Sequence, residues 1–170
     1  MKTMKLEANK FISSALLLTA LLVLSGCQSP GDPGQATGKT FNEQVSGKTL
    51  VSEAMTRAKA ENKQVLLLFG ANWCPYCRAL HGLLETDPAV REMVAKGFVV
   101  VPVDLGSSGG NRNTALADRY EAPVYTDGIP ALVVTDADGK RVAPTKDNPW
   151  SAKNPLEPAR VIAFLKQAQP

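Results

Sequence analysis

Val65-Leu66-Leu67-Leu68-Phe69-Gly70-Ala71-Asn72-Trp73-Cys74-Pro75-Tyr76-Cys77 is the stretch from which the rest of the chain is read. The apolar run from Gln64 to Gly70 predicts a central strand covered on both faces, because such a strand lacks the polar alternation of a half-exposed one. Arg78 to Glu85 predicts a helix. Two cysteines with two residues between them therefore stand where a buried strand ends and a helix begins. Free backbone N–H groups and the positive end of the helix dipole lie at that junction. The thiolate is the attacking species in disulfide exchange, and such surroundings lower a cysteine pKa from about 8.5 into the range of roughly 3.5–7.5. The residues point to thiol–disulfide oxidoreductase chemistry.

The amino terminus reads as an address. Lys2, Lys5 and Lys10 form a basic region, and Phe11 to Leu24 is an apolar stretch. That stretch is short of the roughly 20 residues that span a bilayer. Leu24-Ser25-Gly26-Cys27 resembles the bacterial lipoprotein box, in which cleavage precedes a cysteine that carries diacylglycerol. The expected organisation is a lipoprotein signal peptide at 1–26, a lipidated Cys27 with a flexible Pro/Gly/Ser-rich tether at 27–40, and one domain at 41–170. Gln28 after the lipidated cysteine favours the outer over the inner membrane, on the periplasmic side. Of three cysteines, acylation of Cys27 leaves Cys74 and Cys77 to pair with each other or with a partner protein. The formal charge of +3 falls to +1 once residues 1–26, with three lysines and Glu7, are removed. The basic precursor is thus no ground for a nucleic-acid partner.

Thr49 to Asn62 has the apolar spacing of an amphipathic helix ahead of the first strand. After the cysteine helix, Asp87 predicts an N-cap and Pro88 a first helical position. That helix runs to Gly97, read as the C′ residue, and Phe98 to Val103 follows as a second strand. A right-handed βαβ unit is the expected connection. Leu105 to Asn113 reads as a loop, with a possible anion-binding nest at Gly106 to Gly110 that is outweighed by a plain solvated loop. Thr114 to Tyr120 predicts a short helix and Ala131 to Thr135 a third strand. Asp136 to Lys140 is a turn that needs Gly139, and Arg141 to Ala143 is its partner strand. Pro158 to Gln169 is the last helix.

This layout resembles the thioredoxin fold, and its wording is similar to bacterial periplasmic thioredoxin-like proteins of the thiol:disulfide interchange kind. The matching pieces are Ala58-Lys59-Ala60-Glu61-Asn62-Lys63, Trp73-Cys74-Pro75-Tyr76-Cys77, Asp87-Pro88-Ala89-Val90 and Gly128-Ile129-Pro130-Ala131, within residues 48–168. The resemblance implies an α/β thioredoxin fold, a central mixed β-sheet flanked by helices, with an extra N-terminal helix. It implies that Cys74 is the exposed nucleophile, that Cys77 resolves the mixed disulfide, and that Trp73 shields the dithiol. Pro130 would be cis and face the cysteines. Ile129 would pair its backbone with an extended substrate, and Pro75 and Tyr76 would contact partners. The expected partners are exported proteins with disulfides or thiols, a transmembrane electron donor, and the lipid bilayer through acylated Cys27. No cofactor and no metal are expected, because Cys74, Cys77 and the one histidine, His81, offer at most three ligands.

Two departures stand out. The buried acid that thioredoxins carry six residues before the first cysteine is replaced by Leu68. Either water or another group, such as Glu85, would then have to serve Cys77. The segment from Asp104 to Asp127 is long and could overhang the site. His81 reads as a partly exposed helix residue, and Tyr120, Tyr125 and Trp150 read as packing residues, before any functional role. Reduction is favoured over oxidation by analogy. The alternatives are glutaredoxin-like chemistry at Cys-Pro-Tyr-Cys, a metal-carrying role, and a binding or chaperone-like lipoprotein whose Cys74–Cys77 disulfide is redox-inert.

Overall fold

Six consecutive buried residues fill β1 (Gln64–Gly70), and it is the strand with a neighbour on each side. The computed structural model describes residues 39–106, 112–142 and 156–169. The leader, Cys27, the tether as far as residue 38, residues 107–110 of the glycine-rich loop, Ala143 and Trp150 lie outside them. Ahead of β1 comes α1 (Gly47–Glu61), two residues longer at its start than the apolar spacing predicts. After β1 come α2 (Pro75–Thr86), α3 (Pro88–Gly97), β2 (Phe98–Asp104), α4 (Thr114–Arg119), β3 (Ala131–Thr135) and α5 (Pro158–Ala168). β2 pairs parallel to β1, from Gln64 opposite Phe98 to Gly70 opposite Asp104. β3 pairs antiparallel on the other side. This is the thioredoxin fold with its mixed sheet, here three strands among the described residues, and its extra N-terminal helix.

Side chains leave a strand alternately to its two faces, and both faces of this sheet are covered. Leu66, Leu68, Leu132 and Val134 face α2, α3 and α5, where they meet Leu80, Leu84, Val90, Val161 and Leu165. Val65, Leu67, Phe69, Val101 and Val133 face α1 and α4, where they meet Leu50, Ala54, Ala58, Leu116 and Tyr120. Phe98 and Val100 lie on the first of these faces, so the same alternation puts Pro102 and Asp104 there too. Leu105 donates its N–H to the Gly70 carbonyl at 2.8 Å. By the same period of two, the backbone amide position of Pro102 turns away from β1. A residue with no N–H thus leaves the ladder intact.

Caps explain the helix boundaries. Asp87 Oδ1 accepts from the N–H groups of Ala89 and Val90, at 3.1 and 3.0 Å, and Pro88 takes the first position of α3. Gly97 is not a C′ residue: it is the last residue of α3, and extended Phe98 takes over at once as the start of β2. The Asp136–Lys140 turn forms with Gly139 at φ +85°. Its second arm is a single bridge between Thr135 and Arg141.

The tightest contact lies at the end of β1. A Cβ placed on Gly70 would fall 2.5 Å from Phe41 Cζ and 3.0 Å from Cys77 Cβ. Gly70→Ala is therefore expected to lower the unfolding free energy by about 1–3 kcal/mol through overpacking, as read from urea denaturation of the oxidised protein.

Candidate active site

Between β1 and α2 the chain makes a short turn that Asn72 ties down from below. Its Nδ2 donates to the Phe41 carbonyl at 2.8 Å and to Glu43 Oε1 at 2.7 Å, and its Oδ1 accepts from Phe41 N at 3.0 Å. The Arg78 guanidinium donates to the Asn72 carbonyl. Cys74 then caps α2: it is the extended N-cap residue, and its Sγ accepts from Cys77 N–H at 3.2 Å. Pro75 occupies the first helical position, where a missing N–H leaves nothing unpaired. Cys74 and Cys77 form a disulfide with their Cα atoms 5.3 Å apart.

The pair is better covered than an exposed nucleophile implies. Cys74 is 4% exposed and Cys77 is 0% exposed. Both belong to the core between the sheet and α2, because Gly70 lets the helix settle onto the strand. Of the two sulfurs, only that of Cys74 belongs to a residue with any solvent access. Its Sγ lies 3.9 Å from the Ile129 carbonyl oxygen.

That carbonyl belongs to a cis peptide bond, Ile129–Pro130, that leads directly into β3. Pro130 is buried and Ile129 half-buried. Trp73 is 57% exposed and donates its indole N–H to the Gly106 carbonyl at 2.7 Å. Tyr76 is 52% exposed, and Pro75 is exposed as well. The structure thus brings Cys74, Cys77 and Ile129 together, with Trp73, Pro75 and Tyr76 as an exposed rim. The accepted N–H and the helix end both favour negative charge on Cys74 Sγ once the disulfide opens.

Leu68 is fully buried in the apolar core, so its position supplies no acid. Glu85 does not substitute. It is exposed and pairs with His81 Nδ1 at 3.4 Å. The acid that sequence reading passed over is Asp104, the last residue of β2, which is 3% exposed. Its Oδ2 has no hydrogen-bond partner. Burial pushes its carboxyl group up from the ordinary carboxylate range, against the Gly106 N–H that favours the ionised form. The charge of Glu43 adds to the rise, and Arg112 and Lys39 oppose it. The sequence shows only an acid ending a β-branched apolar run; that it lies opposite Gly70 comes from the strand register.

Asn113 was also passed over. Its side chain accepts from Gly47 N–H at 3.0 Å and donates to the Asp104 carbonyl at 2.7 Å, joining the start of α1 to the end of β2. His81 lines a groove of about 550 Å³ with Arg57, Lys63, Glu85 and Arg91 among others, and no dithiol residue lines it. Tyr120 packs in the core, whereas Tyr125 is exposed, contrary to the packing role expected for it.

The thioredoxin-like domain family matches residues 51–146. The thiol:disulfide interchange protein DsbD of Ralstonia nicotianae is 32% identical over 113 residues, which cover 66% of this chain. The match takes in 17% of that relative's length, and 34% of the length of bovine nucleoredoxin, so the chain spans a minor part of each. A solved disulphide isomerase of Xylella fastidiosa superposes with a TM-score of 0.66 at 33% identity, over 78% of this chain and 98% of that one. The C-terminal domain of Neisseria meningitidis DsbD, in its oxidised form, shares the fold with a TM-score of 0.50 at 21% identity, over 74% and 97% of the two chains. With paired cysteines at the strand-to-helix junction and a family match over more than half its length, the chain belongs to the thioredoxin-like domain family.

Proposed function

We propose that this protein is an oxidoreductase that exchanges dithiols and disulfides in exported proteins, working as a reductant while acylated Cys27 holds it at the periplasmic side of a bacterial membrane. The observation that carries the reading is the Cys74–Cys77 disulfide at the N-terminus of α2, with Cys74 Sγ held by a backbone N–H and facing the Ile129 carbonyl. Cys74 attacks a substrate disulfide, the substrate's extended segment lies along Ile129 and Pro130, and Trp73, Pro75 and Tyr76 give it an apolar rim. Cys77 then attacks Cys74 Sγ, closing the internal disulfide and releasing the substrate as a thiol. Two electrons leave the dithiol in each turnover. They are replaced by a transmembrane electron donor, since the reaction consumes the reduced form.

Support for dithiol–disulfide exchange comes from the relative named a thiol:disulfide interchange protein, and the reducing direction rests on the family resemblance. Support for anchoring comes from Leu24-Ser25-Gly26-Cys27 behind a basic and apolar leader. Gln28 after the acylated residue favours the outer membrane.

Three outcomes are expected. In an insulin reduction assay driven by dithiothreitol, wild type accelerates precipitation and Cys74→Ser falls to the rate without protein; equal curves would leave a redox-inert staple. Equilibration of the dithiol with glutathione buffers should give a potential below about −180 mV, and a value well above it would make the chain an oxidant. After cell fractionation, Cys27→Ala should move from the membrane pellet to the soluble periplasmic extract, and retention in the pellet would place the anchor elsewhere.

A further inference from the structure

Cys77 must lose a proton before it can attack, and its surroundings oppose that loss. It is fully buried, and burial in apolar surroundings raises a thiol pKa. The end of α2 does not help it enough. The N–H of Cys77 is directed to Cys74 Sγ, and a helix dipole supplies about 0.3–1 kcal/mol, less than one pKa unit. A buried thiol with no base would resolve mixed disulfides slowly.

We infer that Asp104 takes up the proton that Cys77 releases, from the strand next to the one on which Cys77 packs. The inference rests on the dithiol being redox-active, as proposed above. Asp104 is opposite Gly70 in the parallel register, about 4.8 Å away at the backbone. Gly70 is the residue over which Cys77 Cβ sits, and the alternation along β2 turns the Asp104 side chain to that same face. Leu68, the other β1 residue nearby on this face, offers no acceptor. Asp104 Oδ2 is buried and unpartnered. It is the one buried carboxyl side chain among the described residues.

The step balances simply. The Cys77 S–H proton passes to the Asp104 carboxylate, and the Cys77 thiolate attacks Cys74 Sγ of the mixed disulfide. The bond between Cys74 and the substrate sulfur breaks as the Cys74–Cys77 bond forms, and the electron pair leaves on the substrate thiolate, which then takes a proton. When the disulfide is reopened, Cys77 leaves as a thiolate and recovers its proton from Asp104. The charged groups around Asp104 are Glu43 and Lys39 from the segment before α1 and Arg112 ahead of α4; β1 places Gly70 opposite it, and Cys77 of α2 packs on that glycine. Burial holds the Asp104 carboxyl above its ordinary range, which narrows the gap to a thiol.

The test uses the reduced full chain and the aromatic disulfide dithiobis(nitrobenzoate). One chromophore leaves when Cys74 forms the mixed disulfide, and a second leaves when Cys77 resolves it. In Asp104→Asn the second release should slow about 10²-fold relative to the first at pH 7, and recover as pH approaches the ionisation of the thiol itself. Equal ratios and equal pH profiles in wild type and variant would overturn the role of Asp104. A wild type that releases the first chromophore but never the second would instead overturn the dithiol reading. Thermal unfolding of the oxidised form checks the variant. A carboxyl whose folded pKa is raised costs stability as pH rises from the ordinary range through the raised value. Asp104→Asn should thus gain in Tm at pH 8 and not at pH 3.5; the same difference at both would remove the buried charge the inference needs. Should the amide variant fail to fold, Asp104→Ser is read by the same two releases.

Discussion

One missing side chain sets the geometry of the whole site. α2 lies on the sheet with Cys77 against Gly70, and Phe41 closes over the same residue from the segment before α1. Any larger residue there would lift the helix start and, with it, both sulfurs. Once that contact is made, Cys74 is left at the rim as the N-cap and Cys77 goes beneath it. The asymmetry between the two cysteines follows from their positions relative to one glycine, not from their chemistry.

The two thiols then meet opposite electrostatic conditions within one helical turn. Cys74 Sγ accepts a backbone N–H and stands at the positive helix end, both of which stabilise its anion. Cys77 has burial against it, and burial alone can shift a titrating group by several pKa units, more than a helix end returns. Asp104 is subject to the same penalty for the same reason. Two groups that each resist ionisation, one at the end of β2 and one on α2 above the neighbouring strand, exchange a proton at less cost than either would with water. A polar framework holds this arrangement. Asn72 fixes the turn into α2 to Phe41 and Glu43, and Asn113 fixes the end of β2 to the start of α1.

Much of this was legible in the sequence where a local rule decides the outcome. Gln64–Gly70 and Ala131–Thr135 appear as unbroken apolar runs and fold as the strands they predict. Asp87-Pro88 begins a helix because the cap and the fixed φ act within three residues. Gly97 misled because a glycine after an amphipathic run is usual at C′, whereas here β2 starts without an intervening turn. Asp104 and Asn113 were not legible. Chain neighbours set neither role; Asp104 is buried because β2 pairs with β1 in one register, and half-buried Asn113 finds its partners because α1 passes within reach of the loop ahead of α4. The cover over Cys74 is likewise tertiary, since an N-cap residue is ordinarily exposed.

Pro102 has a further consequence. Among the described residues β2 has a partner on only one side, and a bare strand margin invites addition of a strand from another chain. At the middle of that margin the chain presents a ring where an incoming carbonyl would look for a donor. Continuous pairing between two copies is interrupted there, at the open margin of the three strands found among the described residues.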